Sequence, residues 1–194
     1  MNETLRGELL AMRAEDLRVR DELAQEGVLG EGYEPRMEQV HLHNATRLEA
    51  IVAEFGWPGR NLVGEDGAEA AWRILQHAIS RPDLMRAYLP LLKQAASKED
   101  IPEWQPAYVL DRIRFFEGKP QVYATQYDWD EQGFSRLWTV EDPEGANERR
   151  KSVGLPPLAD SGARTRVQKT LPPEKVAARR KAMEAWARSV GWRE

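Results

Sequence analysis

The sequence predicts an α+β chain that is mostly α: about five main helices, one β-hairpin and a C-terminal helical extension. Three observations carry this. Apolar residues recur at three- and four-residue spacing in five segments before residue 118, as a helix with one buried face requires. The period then changes to alternation in QVYATQY (121–127) and FSRLWTV (134–140). Helical spacing returns in a short segment at 144–153 and again after a polar linker, near the end of the chain.

Residues 3–26 read as the first helix, with Leu5, Leu9, Met12 and Leu23 near one face and strong helix formers elsewhere. Gly27, Gly30, Gly32 and Pro35 break it. The second helix, 36–55, stops at Gly56-Trp57-Pro58-Gly59, because Pro58 disfavours helical geometry at Trp57 and the glycines permit a sharp turn. Asp66 is a candidate cap for a third helix reaching about Ser80. Pro82 and Asp83 suit the first turn of a fourth, which runs to about Ser97 with Pro90 as a kink. Pro102 opens a fifth that ends near Gly118. The alternating segments form a hairpin that must pack on helices, since an isolated hairpin is only marginally stable. A short helix at 144–153, a linker at 159–172 and a last helix at 173–190 complete the order. The domain expectation is one α-rich globular domain over 1–158, followed by the linker and a basic amphipathic helix.

Composition narrows the function classes. A chain of 194 residues with 41% hydrophobic and 31% charged content can bury a real core. No apolar run approaches the roughly eighteen residues of a membrane helix. The charged, amphipathic N-terminus is read as neither signal peptide nor anchor. Zero cysteines excludes disulfides, thiolate metal sites and cysteine nucleophiles, and the expected address is the cytoplasm. The net charge of −4 is uneven: from Asp160 onward nine Lys/Arg face four Asp/Glu, which leaves −9 on the rest. An acidic body disfavours nucleic acid as the main partner.

The chemistry-bearing signal is polar side chains on faces that should be apolar. His41 and Asn44 fall on the stripe of Met37, Leu48, Ile51 and Phe55. Gln76 and His77 lie on an Ala- and Trp-rich helix, and Asp111 is in line with Trp104, Tyr108 and Phe115. Gln126 shares its alternating face with Val122 and Ala124. A buried polar group without a partner costs about 1–3 kcal/mol, so these groups are expected to meet.

The ordered series Asn44-x3-Leu48, Gly56-Trp57-Pro58, Val63-Gly64-Glu65, Ala71-Trp72, Gln76-His77-Ala78, Asp111-Arg112, Gly118-Lys119-Pro120-Gln121-x-Tyr123-Ala124-Thr125-Gln126 and Arg149-Arg150-x3-Gly154-Leu155-Pro156-Pro157-Leu158 resembles a bacterial family of unknown function over about 36–158. The chain departs from the family pattern at His41, where Asp is preferred, and at Ala124, where Gly is preferred. The resemblance implies candidate positions and no mechanism.

The leading expectation is a small-molecule enzyme, hydrolytic or cyclising/eliminating on a carbonyl compound, a hydrolase or lyase in class. His77 is its acid–base residue, since imidazole titrates near neutrality. Asp111 orients it, as carboxylates do in triad-like sites. His41, Asn44, Gln76, Arg112, Tyr123 and Gln126 hold the substrate. The alternatives are a non-catalytic ligand- or partner-binding module, and a purely structural network in which Asp111-Arg112 pairs with Arg149 or Arg150. His41, His77 and Asp111 would also supply the ligand set of several mononuclear metal sites. No HxxxH or HxxE pair supports that, so no metal and no cofactor is assigned. A small-molecule ligand is the expected partner, with a homodimer through the C-terminal helix as a further one.

Overall fold

The computed structural model describes residues 1–29, 32–158 and 171–194. Among these there are seven helices and one two-stranded antiparallel hairpin, in the expected order. The chain divides into two compact units, Met1–Gln105 and Pro106–Glu194.

In the first unit α1 (Glu3–Gln25) starts at Asn2, whose side chain accepts from Leu5 N at 3.1 Å and so satisfies an otherwise orphaned amide. Its stripe of Leu5, Leu9, Met12 and Leu23 is buried. α2 (Pro35–Phe55) is capped by the Glu34 carboxylate, which accepts from Arg36 N and Met37 N. It buries Met37, Ala45, Leu48, Ile51 and Val52, whereas Phe55, expected on that stripe, is exposed.

α3 (Arg60–His77) begins earlier than Asp66 and is broken at Gly64, with φ 74 and ψ 171. The early turn forms because Asp100 catches the chain there: its carboxylate accepts from Asn61 N at 2.8 Å and its carbonyl from Arg60 N at 2.9 Å. Gly59 permits this approach, since a Cβ there would lie 2.0 Å from the Asp100 carboxylate. Asp66 accepts from Gly67 N and from the Arg6 guanidinium at 2.6 and 2.8 Å, which ties α3 to α1. α1 packs along α3, and both contact α2. The small residues Ala68, Ala70 and Ala71 are buried on α3 and allow close approach. α4 (Pro82–Ser97) contains Pro90, as expected, and buries Leu84, Met85 and Leu92.

The second unit holds most of α5 (Trp104–Phe116), the hairpin, α6 (Ala146–Ser152) and α7 (Pro173–Ser189). The strands are shorter than the alternation predicts: β1 is Tyr127–Trp129 and β2 is Ser135–Leu137, paired Tyr127 to Leu137 and Trp129 to Ser135. Residues 121–126 are not part of β1. The amides of Val122, Tyr123 and Thr125 turn toward Asp111 of α5, Gln121 keeps an isolated bridge to Val140, and Ala124 adopts a left-handed φ of 56°, which no regular strand tolerates. α7 docks on the end of α5, with Phe116 between Trp186 and Trp192 at ring-centroid distances of 5.6 and 5.4 Å. Arg193 donates to the carbonyls of Phe116 and Phe115, and Arg179 pairs with Asp128 at 2.8 Å. The expected linker falls largely on 159–170, outside the described residues. No helix of the described residues is long and apolar enough to cross a membrane.

Candidate functional site

The polar intruders of the first unit meet around a carboxylate that the sequence reading missed. Asp16 continues the α1 stripe one turn after Met12 and is only 3% exposed. Its Oδ2 lies 2.7 Å from His77 Nδ1 and 3.1 Å from His41 Nε2. The two imidazole rings are tilted at 41° with centroids 4.8 Å apart. On the far side of His41, Nδ1 is 2.5 Å from the hydroxyl of Tyr33, in the loop before α2. Asn44, one turn further along α2, donates to the carbonyl of Met12 at 3.3 Å and fixes the level at which α2 meets α1.

Each residue reaches the group by helical spacing. His41 and Asn44 are three apart on α2, Asp16 and Met12 four apart on α1, and His77 is the last residue of α3. Burial alone would push the Asp16 carboxyl up; the imidazoles of His41 and His77 facing it hold it well below the usual carboxylate range. Asp16 is therefore the anion of the group. Its Oδ1 and the Nε2 of His41 are buried without a hydrogen-bond partner. His77 is the accessible member, with its side chain 20% exposed against 9% for His41 and 4% for Asp16. A shared carboxylate and two imidazoles can hold a proton in a fixed orientation or supply three ligand atoms to a cation.

Asp111 does something else. It lies in the second unit, is fully buried, and is gripped by one loop: it accepts from the amides of Val122, Tyr123 and Thr125 and from the Thr125 hydroxyl, at 2.7 to 3.1 Å. Burial raises its carboxyl pKa, against the pull of those donors. The same loop is braced by Gln121, whose side chain bonds Gln126 N, Gln126 O and Trp138 O. Arg150 donates to the carbonyls of Tyr123, Ala124 and Pro156, and Arg149 to that of Val122. The carboxylate bonded to His77 is thus Asp16, and the arginines serve loop carbonyls; neither bonds the Asp111 carboxylate.

The other expected ligand-holding residues divide in the same way. Gln76 is 3% exposed beside His77 in the first unit. Gln126, Tyr123 and Arg112 belong to the second, where the Gln126 amide donates to the Thr125 hydroxyl at 3.0 Å. The second unit also has a cavity of about 160 Å³ lined by Phe115, Trp138, Arg179, Arg180, Met183 and Glu184 among others. Tyr33 gave no periodic signal, because it sits in a loop. Asp16 did give one, as a polar residue four after Met12 and seven after Leu9.

Fold and site together define a small helical protein with a buried two-histidine, one-carboxylate group. Residues 3–165 match the model of DUF6624, a family of unknown function, and the chain belongs to that family. The match extends further toward the N-terminus than the ordered motifs and takes in Asp16. No curated protein and no solved structure matches the chain.

Proposed function

We propose that this chain is a small-molecule enzyme whose working centre is Asp16, His41 and His77, acting by proton transfer on a carbonyl compound in a hydrolytic or eliminating step. The observation that carries the reading is the shared carboxylate: Asp16 Oδ2 takes His77 Nδ1 at 2.7 Å, and His77 is the member most open to solvent. In that arrangement Asp16 fixes the ring and stabilises its charged form, and Nε2 on the opposite side of the ring exchanges the proton. The role first given to Asp111 passes to Asp16. Tyr33 holds the His41 ring through Nδ1, and His41 Nε2 faces Asp16 at 3.1 Å.

The alternative is a non-catalytic module that binds a ligand or a partner, and the depth of Asp16 and His41 favours it. Turnover separates the two. A panel of small esters, lactones, amides and hydroxycarbonyl compounds is expected to reveal one processed class, with His77→Ala and Asp16→Asn lowering turnover at least about a hundredfold while circular dichroism is unchanged. Ligand-induced stabilisation with no turnover would favour the module. The proposal includes a cytoplasmic address and a small-molecule partner. A homodimer along α7 would have to use the side of the helix that does not pack on Phe116, and light scattering reads it directly.

A further inference from the structure

We infer that Asp16, His41 and His77 bind one first-row divalent transition-metal ion, with zinc or cobalt as the chemical type. The inference rests on the reading of this group as the working centre and changes one thing in it: a cation, rather than a proton, lies between the carboxylate and the imidazoles. Three features carry it.

The first is the donor set and its spacing. Two imidazoles and a carboxylate suit first-row transition ions, whereas magnesium and calcium call for oxygen ligands. One candidate ligand atom from each residue falls within 4.8 Å of the others. A metal about 2.0–2.1 Å from each donor holds neighbouring donors roughly 2.9–3.4 Å apart. The His41–Asp16 separation of 3.1 Å is already in that range, and the His77–Asp16 separation of 2.7 Å needs only a small opening.

The second is the unmet bonding. His41 Nε2 is 3.1 Å from Asp16 Oδ2, yet it makes no hydrogen bond, so the ring N–H direction does not point at the carboxylate. Asp16 Oδ1 is also buried and unpartnered. Two orphaned polar atoms on side chains more than nine-tenths buried, in one group, are what a cation would satisfy.

The third is the support behind His41. A ligating histidine donates its other ring N–H to a neighbouring oxygen, which fixes the tautomer. Tyr33 provides that oxygen at 2.5 Å from Nδ1, which with the proton on Nδ1 leaves the lone pair on Nε2. The partial exposure of His77 gives the ion and its remaining water ligands a way in. A metal-bound water would then carry the proton, and His77 would position the ion.

The test uses the untagged full chain, stripped with a chelator and titrated with Co²⁺ and Zn²⁺ by calorimetry and visible absorption. The chain has only three histidines and no cysteine, so an imidazole site must draw on His41, His43 or His77. One equivalent is expected to bind, with cobalt giving ligand-field absorption. His41→Ala and His77→Ala should each weaken binding at least about a hundredfold, and Tyr33→Phe about tenfold. The exposed His43 provides the control, and His43→Ala should bind unchanged. Asp16→Asn keeps side-chain size, so it serves if the alanine variants misfold, as judged by circular dichroism. Absence of stoichiometric binding, or equal affinity in the His41, His77 and Asp16 variants, would overturn the metal site. Failure to bind metal alongside loss of turnover in His77→Ala would sink the metal and leave the enzyme reading. Stoichiometric binding without any turnover would do the reverse.

Discussion

The two buried aspartates have opposite electrostatic circumstances. Asp16 is held ionised by imidazoles, while Asp111 is surrounded by neutral donors and its carboxyl is raised by burial. Asp111→Ala would leave four donors aimed at an empty space, and a cost of about 3–5 kcal/mol is expected, read as a lower urea midpoint. Asp111→Asn keeps the shape but brings an amide N–H against those donors, and should still cost about 1–3 kcal/mol. A third carboxylate gives a pH test. The Arg6 guanidinium beside Asp66 holds its carboxyl down to about 2, from an ordinary 3.8. A lowered folded-state pKa means the pair stabilises the fold above the ordinary value and loses that contribution as pH falls through about 2. The difference in melting temperature between wild type and Asp66→Asn should therefore be present at pH 5–6 and shrink between pH 4 and pH 2.

Among the elements, the helices were legible and the loops were not. α1, α2, α4 and α7 fall within about a residue of the expected bounds, because caps and periodicity are local signals. α3 was misplaced because Asp100, far along the chain, anchors its first turn at Arg60 and Asn61. Residues 121–126 alternate like a strand, yet the amides of Val122, Tyr123 and Thr125 are taken by the buried Asp111 carboxylate on α5 instead of a neighbouring strand. The site was half legible for the same reason. His41, Asn44 and His77 announced themselves as polar residues on apolar helix faces, whereas pairing His77 with Asp111 needed knowledge of which unit each belongs to. Ala124 shows the strain such a loop carries: its φ of 56° lies in the left-handed region that glycine adopts without a steric cost. Ala124→Gly trades left-handed strain for a lost buried methyl, about 1 kcal/mol each way, and should leave stability nearly unchanged. Ala124→Val, β-branched in that conformation, is expected to lower the thermal midpoint by several degrees in calorimetry.

For the whole molecule, the described ends of the second unit are joined by aromatic packing. Truncation after Leu158 removes Val176, Trp186 and Trp192 and uncovers Phe116, so scanning calorimetry should show a lowered transition for that unit. Trp192→Ala alone is expected to cost about 3–5 kcal/mol, since the ring is 3% exposed and stacked on Phe116. The clasp at the hairpin tip bears on the order of folding. Leu171 N donates to the carbonyl of Gly133 at 3.0 Å, and a Cβ on Gly133 would meet the Leu171 carbonyl oxygen at 1.8 Å. That one contact closes a long loop of chain, and loop closure must precede the reward of docking α7. The bond from Arg193 back to Phe116 spans 77 residues, whereas that from Asn44 of α2 to Met12 of α1 spans 32. Docking of α7 should then be the slow, late event of refolding, visible as a delayed change in tryptophan emission. A methyl group at position 133 would hinder the clasp and lengthen that last phase while leaving the earlier helical phase at its original rate.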